Sequence, residues 1–415
     1  MRKNLLSSNL VKSSALLPIG TALNFLLTLV VARQLPTGDF GFYSAVISFA
    51  NILAVLCSLG LPISAQMRIP TYSAAGREYL TAAYLRVCIA TIAIVVAVGI
   101  VVAIIGFRQS SNYFFVLPVC VIACLIWIFQ RYIALGFDRV TQAIIPRDIL
   151  FHMVMIVLFF IGVTENAVNS LLLYAGMLLV LTTPVLIYQL RAYPLFSVAR
   201  HKDSEDKGYW ALIVDSVPFA IVRLGQLGTT GAEIVVMSFF LPLELVGIYA
   251  FIFKFTLAGS LINRIVNVAN GQRFAMLYSS GKIDSFRKLF FKSMILSVCV
   301  SGVLFLFVLI FGKYVLGLVK EEFLSGYPVL LILIAGQVIG ASMGPTTIAL
   351  NMIGQQRKVA VITCVVAAIS IGACAVAAPR YELVGVAVIV SSSLVLSKVL
   401  QLLFLNRKLG GAFGE

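Results

Sequence analysis

The sequence predicts an all-α integral membrane protein, with twelve transmembrane helices in two pseudo-symmetric six-helix lobes around a central cavity. Of its 415 residues, 61% are apolar and only 11% are charged, whereas a soluble domain is nearer half apolar and a quarter charged. Twelve apolar runs approach or exceed the length that crosses the hydrocarbon core. A nine-residue stretch also occurs twice, which indicates an internal duplication.

The repeated stretch covers residues 35–43 and 241–249, and its copies share Leu, Pro, Gly and Tyr at a constant offset of 206. Each copy lies between two apolar runs, so each is predicted to be the tight turn between two membrane helices. The proline cannot continue the first helix. Asp39 or Glu244 then lies near the start of the next helix, where exposed amides favour negative charge. Because the offset divides the runs into two equal sets, we interpret the chain as a duplicated transporter.

The apolar runs are separated by short polar connections. They cover residues 14–32, 40–64, 79–106, 113–135, 148–163, 168–189, 211–240, 245–270, 289–312, 327–350, 359–378 and 384–406. The run 211–240 contains Gly228 and Gly231, which predict a bend or local unwinding. The polar stretch 191–210 is predicted to be a cytoplasmic linker between an N-terminal lobe, 1–190, and a C-terminal lobe, 211–415.

The distribution of basic residues predicts the orientation. Segments on one side of the predicted membrane hold 21 Lys and Arg, and those on the other side hold 5. Since cytoplasmic loops carry the basic excess, both termini are predicted to be cytoplasmic. This bias accounts for most of the net charge of +15, so no nucleic-acid partner is expected.

Motifs for catalysis are missing from the sequence. The seven cysteines all lie in apolar runs, without metal-ligand spacing, and are interpreted as packing thiols. No Gly-rich nucleotide loop with a lysine is found, and no carboxylate pair or nucleophile triad stands out. We therefore expect a protein that is not an enzyme and that has neither a cofactor nor a metal centre.

The chain resembles the polysaccharide-transport family of the multidrug/oligosaccharidyl-lipid/polysaccharide exporter superfamily, which includes O-antigen and exopolysaccharide-unit flippases. The residues that carry the resemblance are Val31-Ala32-Arg33-Gln34-Leu35-Pro36, Phe40-Gly41-Phe42-Tyr43, Val246-Gly247-Ile248-Tyr249, Leu277-Tyr278-Ser279-Ser280-Gly281-Lys282, Phe311-Gly312 and Leu350-Asn351-Met352-Ile353-Gly354. The resemblance implies a flippase that moves a lipid-linked oligosaccharide, on polyprenyl pyrophosphate, across the bacterial cytoplasmic (inner) membrane. It implies membrane lipids, a polysaccharide polymerase and chain-length machinery as further partners.

Charged residues inside the apolar runs are the candidate site, because a charge within a span is costly and usually faces a polar cavity. In the seventh run, Asp215, Arg223 and Glu233 fall within about 80° of one face of a continuous helix. Lys254 and Arg264 lie on the eighth. The predicted substrate-binding cations, which would receive an anionic headgroup, are Arg223, Lys254, Arg264 and Arg33.

A structural interpretation of the same charges stays open. It pairs Asp215 with Arg223 and Glu233 with Lys254, and it leaves Arg264 and Arg33 as interface anchors. Lys398, in the last run, is interpreted as an interfacial residue.

Glu233 is the main candidate for ion coupling, with Asp215 as the second. A carboxyl in a low-dielectric cavity can bind a proton or help to hold sodium. Glu233 stands where the family more often has Asp. The alternative is a salt bridge that keeps Glu233 ionised.

Two other functions stay open. A cation-coupled multidrug antiporter of the same superfamily would favour acids and aromatics in its cavity, whereas this sequence has more intramembrane bases than acids. A membrane polysaccharide polymerase would need a sizeable catalytic loop, which the sequence does not offer.

Overall fold

The computed structural model describes residues 2–76, 78–108, 112–163, 166–191, 209–229, 231–259, 270–271 and 273–409. Within these ranges every regular element is a helix. In chain order they are α1 (Arg2–Gln34), α2 (Thr37–Cys57), α3 (Leu61–Ala74), α4 (Glu78–Arg108), α5 (Asn112–Gly136), α6 (Val140–Ile144), a π-helix (Ile145–Phe151), α7 (His152–Phe160), α8 (Ala167–Arg191), α9 (Tyr209–Val214), α10 (Val217–Gly228), α11 (Ala232–Phe240), α12 (Leu243–Gly259), α13 (Ile283–Val319), a 3-10 helix (Glu321–Gly326), α14 (Tyr327–Ser342), α15 (Thr346–Met352) and α16 (Gln356–Lys408).

The chain divides into two compact units. The first comprises Met1–Leu35 and Tyr43–Leu224, and the second comprises Pro36–Phe42 and Gly225–Glu415. The first turn of α2 therefore clusters with the second unit, as does the last turn of α10. The predicted lobes, 1–190 and 211–415, and their linker stay a prediction, because most of 191–210 lies outside the described residues.

Ten helical stretches are long and apolar enough to cross a membrane within the described ranges. The protein is thus a multi-pass membrane protein by length and composition. Two differences separate this number from the predicted twelve. The last two predicted runs form one element, α16, with a non-helical residue at Glu382 (φ 48°, ψ −138°), and α12 ends at Gly259 next to undescribed residues. The count of twelve stays a prediction.

The two copies of the repeated stretch pack against each other inside the second unit. A Cβ atom added to Gly247 would overlap the Thr37 carbonyl oxygen and would lie 3.1 Å from the Gly41 nitrogen. A Cβ atom added to Gly41 would overlap the Leu243 carbonyl oxygen. The two repeat glycines therefore allow the backbones of α2 and α12 to meet at the starts of both helices.

A break that the sequence did not predict interrupts the second apolar run. Leu59 and Gly60 adopt positive φ angles of 52° and 76°, so α2 ends at Cys57 and α3 starts at Leu61. A Cβ atom at Gly60 would lie 2.6 Å from the Ala220 nitrogen. Glycine is thus needed here for its conformation and for close packing against the start of α10.

Two of the later family-like motifs, 277–282 and 350–354, contribute to a buried apolar cluster. Phe274, Phe286, Leu350 and Leu405 form a buried cluster in the second unit. Leu277 and Tyr278, from the motif at 277–282, pack against it. This cluster joins 273–279, which is helical, to α13, α15 and α16.

Candidate functional site

The predicted site residues are distributed over both compact units. Arg33, Asp215 and Arg223 belong to the first unit, whereas Glu233 and Lys254 belong to the second. Arg264 lies outside the described residues.

The predicted polar face of a single seventh helix is corrected by the structure. The run is divided into α9, α10 and α11, with turn residues at 215–216, at 229 and at 231. The second break confirms the interruption predicted at Gly228 and Gly231. Gly231 has a φ of 143°, a conformation that only glycine adopts readily. Because of these breaks, one helical periodicity cannot relate Asp215 and Arg223 to Glu233.

Asp215 forms an ion pair that the sequence analysis did not anticipate. Its Oδ2 atom lies 3.3 Å from Arg68 Nη2, and the side chains are 37% and 20% exposed. The Arg68 guanidinium also lies over the Tyr84 ring, 5.8 Å from its centroid. Sequence reasoning missed this partner because it placed Arg68 in a cytoplasmic connection, whereas the structure places it in α3.

The Arg68–Asp215 pair can be tested by a double-mutant cycle. We expect Arg68→Gln and Asp215→Asn each to lower thermal stability, and the double variant to lose less than the sum. The expected coupling is about 1 kcal/mol, since the pair is partly exposed. Thermal unfolding of the purified variants in detergent measures it. Strict additivity of the two single changes would contradict the pairing.

Arg223 and Arg33 occupy different environments in the first unit. Arg223 is half-buried in α10. Arg33 is exposed in the last turn of α1, where a cation interacts favourably with the helix dipole. Arg33 stands just before the repeated turn, as the sequence predicts.

Glu233 is the most deeply buried carboxylate of the candidate site, at 3% exposure. It lies in the first turn of α11, and its Oε2 atom accepts a hydrogen bond from the Gly231 nitrogen at 2.9 Å. Its Oε1 atom is buried without a hydrogen-bond partner. The carboxylate interacts electrostatically with Lys254, Tyr249 and Cys374.

The surroundings of Glu233 offer oxygen atoms for a small cation or a proton. The Tyr249 hydroxyl is also buried without a hydrogen-bond partner. Lys254 is half-buried on the same helix as Tyr249, α12. No ion pair to Glu233 is found in the part of the chain that the structure describes, so the salt bridge with Lys254 is not formed there. Across those same residues, no group of three or more His, Cys, Asp and Glu side chains could hold a metal ion.

Lys398 differs from its predicted interfacial position. Its Nζ atom donates to Thr347 Oγ1 at 3.1 Å, and that hydroxyl donates to Gln401 Oε1 at 2.6 Å. The ammonium group is thus held inside the second unit by α15, because the Thr347 hydroxyl supplies an acceptor there. Sequence alone gave no indication that Thr347 would lie opposite Lys398.

The sequence matches the family model described as polysaccharide biosynthesis protein over residues 10–271. A comparison with curated proteins gives no match.

Three solved structures of membrane transporters are similar to this chain, each at 14% sequence identity. An inward-facing multidrug resistance MATE family transporter of the MOP superfamily has a TM-score of 0.73, with 94% of each chain covered. An outward-facing structure of such a transporter has a TM-score of 0.61, over 97% of this chain and 95% of that chain. A MOP superfamily transporter from Pyrococcus furiosus, described as having a binding pocket of reverse polarity, has a TM-score of 0.57 over the same shares.

At this identity the similarity to solved structures shows the fold alone. The family match, in contrast, covers more than half of the sequence. The chain therefore belongs to the polysaccharide biosynthesis family, and it has the fold of the MOP-superfamily transporters.

Proposed function

We propose that this protein is a flippase that moves a lipid-linked oligosaccharide, carried on polyprenyl pyrophosphate, from the inner to the outer leaflet of a bacterial cytoplasmic membrane. The observation that carries the proposal is the match to the polysaccharide biosynthesis family in a chain with a MOP-transporter fold. The family description supports an intermediate of polysaccharide synthesis as the cargo. A lipid-linked oligosaccharide has the charge and the lipid anchor that suit a membrane-embedded cationic site.

The cations of the candidate site supply the recognition of the headgroup. The proposed cations are Arg223, Arg33, Lys254 and Arg264. The planar guanidinium donates paired hydrogen bonds to phosphate oxygens, and the lysine ammonium acts as a compact charge. We propose that these residues hold the pyrophosphate while the prenyl chain stays in the bilayer.

Alternating access moves the bound headgroup without covalent chemistry. Cargo and a coupling ion need only bind the two conformations with different affinities. Glu233 is the proposed coupling residue, because it is a buried carboxylate with one unpartnered oxygen.

We propose that both termini are cytoplasmic, and that the glycan reaches a polymerase and chain-length machinery on the outer face of the membrane.

A second candidate function is cation-coupled multidrug antiport. The similarity to multidrug resistance MATE transporters supports it. Against it, the four predicted substrate-site residues, Arg223, Lys254, Arg264 and Arg33, are all basic, and a cationic site would repel a cationic drug. The family match also names polysaccharide biosynthesis rather than drug resistance.

Depletion in cells separates these functions. We expect the lipid-linked glycan to accumulate facing the cytoplasm, and wild-type protein to restore its outward exposure. Arg223→Ala should restore no more than about a tenth of that exposure, because a charge-assisted contact to phosphate is lost. Arg223→Lys should retain more. Arg380→Ala, a change at an exposed basic residue, is the matched control and should behave as wild type.

The antiporter predicts a different result. Outward exposure of the glycan would be unchanged on depletion in a strain without a second flippase. Susceptibility to cationic drugs would increase instead. That pair of results would overturn the proposed function.

A further inference from the structure

A polar cluster inside the first unit surrounds the π-helix Ile145–Phe151. This helix places Arg147 and Asp148 between α6 and α7, inside the candidate membrane span Val140–Phe160. Sequence analysis placed Arg147 in a cytoplasmic connection, so its charge was not counted among the intramembrane cations. Single π-helical turns within longer helices frequently occur at functional sites.

Aromatic rings and a histidine hold the Arg147 guanidinium in place. Its central carbon lies 5.1 Å from the Trp127 ring centroid and 5.3 Å from that of Phe151. Its Nη1 atom lies 2.7 Å from His152 Nε2. Because arginine only donates hydrogen bonds, His152 Nε2 is the acceptor. The proton of the neutral ring is then on Nδ1, which donates to the Asp148 carbonyl oxygen at 3.0 Å.

The nearest acidic side chain is already engaged elsewhere. Asp148 Oδ2 forms an ion pair with Arg131 Nη1 at 2.7 Å. Within the described ranges, no carboxylate forms an ion pair with Arg147. The Arg147 side chain is therefore held inside a candidate span by aromatic faces, a neutral imidazole and a hydrogen bond to the Tyr174 hydroxyl, and the Asp148 carboxylate that interacts with it is shared with Arg131.

Two buried donors of this cluster have no acceptor. Arg147 Nε and Trp127 Nε1 are both buried, and neither has a hydrogen-bond partner. Buried donors are nearly always satisfied in folded proteins, and leaving one unpaired is destabilising. Two unpaired N–H groups on adjoining side chains, one of them on a guanidinium, fit an acceptor that is also an anion. Arg147 as a whole is only half-buried, so a ligand can approach these buried donors along the exposed part of its side chain.

We propose that Arg147 and Trp127 form an oxyanion site in the first unit that binds a phosphoryl group. Arg147 supplies its positive charge and its Nε–H donor, because its Nη1 atom already donates to His152. Trp127 supplies its indole N–H and the ring face on which the guanidinium rests. This inference goes beyond the proposed function, because it rests on contacts within one unit and holds whatever cargo the protein carries.

The two tryptophans of the chain make this site directly observable. They are Trp127 and Trp210, and Trp210 is 75% exposed. In a Trp210→Phe background, the full-length protein in detergent reports only from Trp127, beneath Arg147. The probes are sodium pyrophosphate and farnesyl pyrophosphate, with farnesol and sodium chloride as controls.

We expect a saturable change in Trp127 emission with a pyrophosphate probe and none with farnesol or chloride. A change with both pyrophosphates identifies a site for the free phosphoryl group. A change with farnesyl pyrophosphate alone identifies a lipid headgroup site. Arg147→Gln should weaken binding at least about 10-fold, and Arg147→Lys should weaken it less. Arg191→Gln, at an exposed arginine at the end of α8, should leave binding unchanged.

Several results would overturn the site. They are no saturable change with either pyrophosphate, an equal change with farnesol, or full binding by Arg147→Gln. If Arg147→Gln does not fold, two other measurements test the site. One is the pyrophosphate affinity of Arg147→Lys, and the other is the rise in melting temperature that pyrophosphate causes in the Trp210→Phe protein. No rise in the melting temperature, together with unchanged affinity of Arg147→Lys, would contradict the proposal. The titration involves no transport, so a failed flippase test would not alter its result.

Discussion

Replacing Gly247 by alanine is expected to lower the free energy of unfolding by about 1–3 kcal/mol, the usual cost of overpacking a tight contact. The added Cβ atom would overlap the Thr37 carbonyl oxygen and would lie 3.4 Å from the Gly41 Cα atom. Backbone atoms on both sides cannot rotate away, so α2 and α12 must separate. The two copies of the repeated turn would then lose their contact. Thermal unfolding of the purified protein in detergent measures the effect.

Gly302 provides the matched control for this prediction. It also lies inside a helix, α13, but a Cβ atom added there would meet no side chain and no other helix of the described residues within 4 Å. Gly302→Ala should therefore leave stability unchanged or raise it by about 0.5–1 kcal/mol, as alanine does in an open helical position. Equal melting temperatures for Gly247→Ala and Gly302→Ala would show that the repeat glycines do not pack as described.

Replacing Glu233 by glutamine is expected to abolish the stimulation of transport by an ion gradient. Glutamine retains the size of the side chain and an oxygen that can accept from the Gly231 nitrogen. It lacks the charge and the titratable oxygen that is unpartnered in the buried pocket. Since coupling free energies are typically 1–3 kcal/mol, the loss is expected to lie between about 5- and 150-fold. Transport into proteoliposomes, with and without a proton or sodium gradient, measures it.

Two further variants make the coupling test specific. Glu244→Gln removes an exposed carboxylate at the start of α12 and should leave the gradient dependence intact. Tyr249→Phe removes the other unpartnered oxygen beside Glu233. It should weaken a sodium dependence more than a proton dependence, because only a bound sodium ion needs that ligand. Retained gradient stimulation in Glu233→Gln would exclude Glu233 as the coupling residue.

Local sequence signals predicted the features that depend on backbone chemistry. The repeated Pro and Gly predicted the turns before α2 and α12, and the structure shows why Gly41 and Gly247 recur, because they face each other. Gly228 and Gly231 predicted the interruption between α10 and α11. In each case a residue with special backbone properties stands where the chain changes direction, so its position could be read from the sequence.

Side-chain partners that are distant in sequence could not be predicted in the same way. Asp215 has a partner in Arg68, and Lys398 has one in Thr347, and neither spacing follows a helical period. The break at Gly60 was missed although Pro62 follows it, because the surrounding residues are apolar enough to continue a membrane run. Arg147 was missed because a charge at the end of an apolar run looks like a cytoplasmic residue.

Transport by the purified protein tests the central claim most directly. A fluorescent lipid-linked oligosaccharide is placed in proteoliposomes, and a membrane-impermeant quencher measures its fraction in the outer leaflet over time. We predict that the protein speeds exchange between leaflets over that in empty vesicles, and that Arg223→Ala removes most of this increase. Equal exchange with and without folded protein, under both proton and sodium gradients, would contradict the flippase account.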